Sequence, residues 1–163
     1  MTAAADWLRD LPGNRLLAEI SLWSADLGRM AESMARIEPY ADIYHLDVAD
    51  GHLSPALLLF PDLVAAIRKL TAKPLHVHLM VSDAILPDQI DQFAEAGSDL
   101  ISIHIENGNI DKALTRIGGH GLRSGLVAQL QTPVSAFAPY LYRISMLTRS
   151  ASGGSDPMLN VCE

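Results

Sequence analysis

Strand-like and helix-like segments alternate six times along this chain, at a repeat of roughly 20–30 residues. That rhythm restricts the fold more than any other feature. Segments 16–23, 42–48, 75–81, 99–105, 122–128 and 142–148 are short and rich in apolar residues, as buried strands are. Between them, apolar side chains fall at helical spacing. Leu27, Met30, Met34 and Ile37 follow the N-cap residue types Ser24-Ala25-Asp26 and stop before Pro39. Leu63, Ile67 and Leu70 follow Pro61-Asp62, with the proline suited to a first helical turn. Ile90, Phe93 and Ala94 lie between Pro87 and Gly97, a helix runs roughly 110–117, and Val134 and Phe137 follow Thr132-Pro133. Such a succession means parallel βα units in an α/β fold.

Two architectures compete for that pattern. A (β/α)8 barrel usually takes ~250 residues, against 163 in this chain. A doubly wound open sheet suits the length, yet no Gly-x-Gly-x-x-Gly follows the first strand. Polar residues favour the barrel. Ser24, His45, Asp47, His78, His104 and Glu106 all gather at the C-terminal ends of strands, where barrel enzymes build their sites.

Successive residues in a strand point to opposite faces. His45 and Asp47 therefore share one face, and His76 and His78 share one face. Imidazole nitrogens with a carboxylate suit one divalent ion, Zn, Mn, Fe or Co. On the fourth strand Ile101, Ile103 and Ile105 face one way, while Ser102, His104 and Glu106 face the other. His76 reads as a buried hydrogen-bonding residue one layer below His78, and Asp50-Gly51-His52 as a turn.

Composition narrows the partners. A net charge of −7 argues against nucleic acid or an anionic membrane surface. The apolar run Ala56-Leu57-Leu58-Leu59-Phe60 is far below the ~18 residues of a membrane span. One cysteine, Cys162, forms no internal disulfide and fits a reducing, cytoplasmic setting. The expected organisation is a lead-in helix within 1–15, a partial barrel over 16–148 and a Gly/Ser-rich tail over 149–163.

At these residues the chain resembles the ribulose-phosphate 3-epimerase family and its sugar-phosphate epimerase relatives. Ile20-Ser21-Leu22-Trp23-Ser24-Ala25-Asp26 is similar to the family's Pro-Ser-x-Leu-Ser-Ala-Asp. His45-Leu46-Asp47-Val48-Ala49-Asp50-Gly51-His52 is similar to its His-x-Asp-Val-Met-Asp-Gly-His. Val77-His78-Leu79-Met80-Val81, Ala96-Gly97-Ser98-Asp99 and Thr132-Pro133 match later segments in order. The resemblance implies the (β/α)8 TIM-barrel family, here an incomplete barrel of about six βα units. It implies metal-dependent 3-epimerisation of a ketopentose phosphate of the ribulose 5-phosphate/xylulose 5-phosphate type through an enediolate. By the same resemblance His45, Asp47 and His78 are metal ligands, Asp47 is also an acid/base, Ser24 and His78 contact substrate, and Met80 lines the site. A small sugar phosphate is the implied partner, and a homo-oligomer the implied assembly.

Three departures qualify that expectation. The family's Met two residues beyond the ligand Asp is Ala49 here. Its phosphate-side loop after strand six is Arg149-Ser150-Ala151-Ser152-Gly153-Gly154-Ser155 here, keeping only the Gly pair. Its seventh strand, which carries a further Asp that is both ligand and second acid/base, has no counterpart. The sequence thus leads to the expectation of a C-terminally truncated member. The alternative is an impaired barrel that binds metal or a partner chain without turnover.

Overall fold

The structure, a computed structural model, describes residues 7–150. Helix α1 (Trp7–Asp10) leads to strand β1 (Glu19–Ser21), a 3-10 turn over Leu27–Arg29 and helix α2 (Met30–Ile37). Strand β2 (Ile43–Asp50), the short β3 (Leu57–Leu58) and helix α3 (Pro61–Arg68) follow. Then come β4 (Leu75–Met80), α4 (Leu86–Glu95), β5 (Leu100–His104), α5 (Ile110–Gly119), β6 (Arg123–Gln129), a 3-10 segment (Val134–Tyr140) and β7 (Met146–Ser150). The strands form one sheet in the order β1-β2-β4-β5-β6-β7, with every neighbouring pair parallel, and β3 pairs antiparallel with β2. This is an incomplete (β/α) barrel, as the strand-end polar residues and the family resemblance lead one to expect. Among the described residues β1 and β7 do not pair.

The strands use their two faces differently. Tyr44, Leu46 and Val48 of β2, Val77 and Leu79 of β4, and Ile101 and Ile103 of β5 join one apolar cluster with the helices. The helices meet it with residues three or four apart: Met30 and Met34, Val64 and Ile67, Ile90 and Phe93, Ala113 and Ile117. The alternate strand positions, Glu19, His45, Asp47, His76, His78, Ser102 and His104, lie on the opposite face. His45, Asp47, His76, His78, Ser102 and His104 are also almost fully buried.

The strands' lower ends are clamped by Arg68. Its guanidinium donates to Asp99 at 2.8 Å and to the Thr71 and Lys73 carbonyls at 2.6 and 2.7 Å. Asp99 in turn accepts the Leu75 N–H at 2.9 Å, so one ion pair aligns the starts of β4 and β5. Gly97 adopts φ +98°, and the Arg68 stem passes where a Cβ would stand, 2.9 Å from Cγ. Both features call for glycine at that turn.

Two expectations need correction, and one short strand is additional. The segment after Thr132-Pro133 is a 3-10 helix, because Pro139 lies inside it and removes a backbone donor needed by an α-helix. The last strand is Met146–Ser150 rather than 142–148; Tyr142 is 84% exposed, and Arg149 and Ser150, assigned to the tail, pair with Ala128 and Gln129. The apolar run at 56–60 contains a strand, Leu57–Leu58, paired with Asp50 and Ala49. Cys162 and Gly153-Gly154 lie outside the described residues.

Candidate metal centre

Register brings the polar face together. Ser21 lies beside His45, His45 beside His76, Asp47 beside His78, and His78 beside Ser102 across successive parallel strands. Each functional residue is thus fixed by a ladder of backbone hydrogen bonds. Asp47 sits at the centre. Its Oδ1 is 3.0 Å from His45 Nε2 and 3.2 Å from His78 Nδ1, and its Oδ2 accepts the Ser21 hydroxyl at 2.8 Å. The three ligand atoms of His45, Asp47 and His78 lie within 4.8 Å of one another, all buried.

Two arms extend from that centre. On one side His45 Nδ1 is 2.8 Å from Glu19 Oε1, which also hydrogen-bonds His76 Nδ1; His76 Nε2 meets the Ser102 hydroxyl. On the other side His78 Nε2 is 2.9 Å from His104 Nε2, and His104 Nδ1 donates to Glu106 at 3.1 Å. The His78 and His104 rings stack at 5.0 Å between centroids. Glu106 also accepts the Gln129 N–H at 3.0 Å and the Thr132 hydroxyl, which ties the Thr-Pro loop to the centre.

Burial and charge set the protonation. Burial alone would raise the carboxyls of Asp47 and Glu19, but the neighbouring imidazoles hold both well below the usual carboxylate range. Burial works against a charged His45 as well, yet Asp47 and Glu19 push it up to about 9. Burial pushes His76 down to about 4 despite Glu19, pushes His104 to about 4 with help from His78, and lowers His78 too. In the metal-free protein the cluster therefore centres on one cation, the His45 imidazolium, between two carboxylates.

The donor set fits a divalent ion. His78 Nε2 faces His104 Nε2, whose partner nitrogen already donates to Glu106, so His78 donates through Nε2 and leaves its Nδ1 lone pair facing Asp47. That lone pair, beside the Asp47 carboxylate, offers a divalent ion one nitrogen and one oxygen donor. Zinc, manganese, iron and cobalt all accept such nitrogen and oxygen donors.

These protonation states make a stability prediction. His76 and His104 have folded values below the ordinary 6.5, so their contribution is present above that value and is lost as pH falls toward 4. Glu19 and Asp47 are lowered and lose theirs on the acid side too. His45 is raised, so its contribution is complete below 6.5 and is lost as pH rises through about 9. Urea midpoints of the chelator-treated protein are expected to peak near neutrality and to fall more steeply toward pH 4. A midpoint that rises between pH 6 and pH 4 contradicts this account.

Comparison with known proteins shows the family. The model of the ribulose-phosphate 3 epimerase family matches residues 17–152. The chain belongs to that family. Ribulose-phosphate 3-epimerase 1 of Cupriavidus necator is 41% identical over 118 residues, covering 70% of this chain and 47% of the relative. The Bacillus subtilis ribulose-phosphate 3-epimerase is 37% identical over 117 residues, covering 70% and 52%. The chain thus spans about half the length of the curated relatives it matches. Among solved structures, the tryptophan synthase alpha subunit of Legionella pneumophila superposes with TM-score 0.57 at 15% identity, covering 81% of this chain and 60% of that one. A sugar phosphate isomerase/epimerase of Parabacteroides distasonis gives 0.54 at 10%, covering 85% and 70%. At such identities these two speak for the barrel fold alone.

For an epimerase-family chain, the position of each expected residue is informative. His45, Asp47 and His78 converge. Met80 ends β4, buried and paired in register with Ala49 on the same face, directly beyond Asp47 and His78. Ser24 stands apart: it is exposed beyond β1, and Asp26 rather than Ser24 caps the following turn, accepting the Gly28 N–H at 3.0 Å. Ser21, three residues earlier, is the serine that reaches Asp47. Glu19 was also overlooked as a site residue. Its signal was available: Glu19 and Ser21 are two apart, hence on one face, within an otherwise apolar strand.

Proposed function

We propose that the protein carries out metal-dependent 3-epimerisation of a ketopentose phosphate, of the ribulose 5-phosphate/xylulose 5-phosphate type, in the cytoplasm and as a homo-oligomer. The observation that carries the reading is the convergence of His45 Nε2, Asp47 Oδ1 and His78 Nδ1 at one face of a parallel barrel sheet. His45, Asp47 and His78 would hold the ion. A divalent ion bound there supplies Lewis-acid stabilisation of the negative charge that develops on the substrate's ketone and hydroxyl oxygens.

The chain's own residues do the rest. Asp47, held ionised chiefly by His45 and also hydrogen-bonded by Ser21, is the base that takes the proton from the carbon beside the ketone. Ser21 fixes the carboxylate's rotation through Oδ2. Ala49 and Met80 form an apolar edge over the reacting carbon. Inversion requires a second acid on the opposite face of the substrate. No helix among the described residues is long and apolar enough to cross a membrane.

Proton exchange tests this reading. Purified protein with Mn²⁺ or Zn²⁺ and ribulose 5-phosphate in deuterated water is expected to give deuterium incorporation at C3 together with xylulose 5-phosphate. Incorporation without the second ketose means that proton removal occurs and inversion does not. Metal binding with no incorporation assigns the chain the other reading, a barrel that binds without turnover. No metal binding at all overturns the ligand assignment.

A further inference from the structure

A neutral imidazole has one N–H and one lone pair. If His45 is to face an ion beside Asp47 and His78 through Nε2, its proton must sit on Nδ1, and that buried proton needs an acceptor. Glu19 Oε1 is 2.8 Å away, and the Glu19 side chain is only 6% exposed. Glu19 is itself fixed. His76 Nδ1 donates to the same oxygen, and the Ser102 hydroxyl donates to His76 Nε2. Four side chains from β1, β2, β4 and β5 therefore form one relay, at whose end Glu19 accepts the His45 Nδ1 proton. Gly125 of β6 keeps the last of them seated, since a Cβ there would lie 3.1 Å from Ser102 Oγ and 3.2 Å from Ser102 Cβ.

We propose that Glu19 is a positioning residue for the metal centre: it fixes the tautomer and ring orientation of His45 so that Nε2 is the ligating atom. The inference rests on the metal-binding reading above. Carboxylate partners of metal-bound histidines generally act this way, raising donor strength and lowering the ordering cost of the ring. The arrangement also decides between two overlapping donor sets. Glu19, His45 and His76 offer a second triad of buried ligand atoms. His45 cannot serve both while neutral, because its one lone pair faces either Asp47 or Glu19. The β5 arm breaks the tie: His78 already presents a lone pair to Asp47, whereas Glu19 has two neighbouring N–H groups to accept.

The test is metal affinity by competition with a chromophoric chelator, using Zn²⁺ and Mn²⁺ alone, on the native chain, Glu19→Gln and Asp47→Asn. Glu19→Gln is expected to weaken binding about 10–100-fold while keeping a cooperative melt. Nitrogen NMR of the metal-loaded native chain is expected to show His45 protonated at Nδ1. That readout is independent of any variant's ability to fold, and a purely structural Glu19 would not require it. Affinity in folded Glu19→Gln within twofold of native, or a proton on His45 Nε2, overturns the proposal while leaving the metal reading intact. Binding retained in Asp47→Asn but lost in Glu19→Gln places the ion in the other triad and overturns it too. Absence of binding in the native chain defeats the functional reading itself.

Discussion

Asp47→Asn is expected to weaken divalent-metal binding by at least about 100-fold and to slow deuterium incorporation into ribulose 5-phosphate by about 10²–10⁴-fold. The substitution keeps shape and hydrogen-bonding capacity, so the fold should survive. What it removes is the charge. Asp47 Oδ1 lies 3.0 and 3.2 Å from His45 Nε2 and His78 Nδ1, the nitrogens proposed as ligands. An amide there supplies neither an anionic ligand nor a base. Equilibrium dialysis with Mn²⁺ measures the first effect and proton NMR at C3 the second. Native-like metal affinity in a folded Asp47→Asn protein would falsify the assignment of Asp47 as ligand. Metal binding lost with exchange retained would separate the two roles and sink the acid/base assignment.

The largest effect on stability is expected at Phe93. Its side chain is fully buried on α4, in the same cluster as Val77 of β4 and Ile101 of β5. Phe93→Ala removes the ring's transfer free energy and leaves a cavity, together costing about 3–5 kcal/mol. That is a large share of the roughly 5–15 kcal/mol available to a typical domain. The backbone has a role as well, because the Phe93 carbonyl accepts the Ser98 hydroxyl at 2.7 Å and so holds the turn around Gly97. A bulk-preserving change such as Phe93→Leu should therefore cost less than the alanine. Leu57 gives the control. It is equally apolar but 80% exposed, and Leu57→Ala is expected to shift stability by no more than about 0.5 kcal/mol. Urea unfolding of the two variants decides the matter, and equal midpoints would contradict it.

The helix faces and the polar strand face were legible because each follows a simple period. Ile90 and Phe93 recur at helical spacing, and Ile101 and Ile103 alternate with Ser102 and His104. Hydrogen-bond register then fixed distances that no one-dimensional pattern contains. That is why Ser21 rather than Ser24 meets Asp47: a resemblance in a run of residues does not say which serine precedes the strand's end. Glu19 escaped notice for a related reason. One acidic residue in a short strand looks solvent-facing until β2 and β4, which bring His45 and His76 to it, are placed. The last strand was misplaced because Tyr142, Ile144 and Met146 mimic alternation, while the segment up to Leu141 belongs to a proline-bearing 3-10 stretch and its cap. A two-residue strand such as Leu57–Leu58 carries too little pattern to separate from a loop.

The strand order β1-β2-β4-β5-β6-β7 has a consequence for biosynthesis. Each new unit along this path adds to the edge left by the one before it, so the sheet can grow vectorially as the polypeptide leaves the ribosome. The histidine–carboxylate network runs from Glu19 on the first strand of that path to His104 on the fourth, with Glu106 two residues beyond it. A nascent chain that has emerged through Glu106 already carries all of those side chains. The donor set proposed for the ion, His45 and Asp47 on β2 with His78 on β4, is thus complete before the last two strands are added.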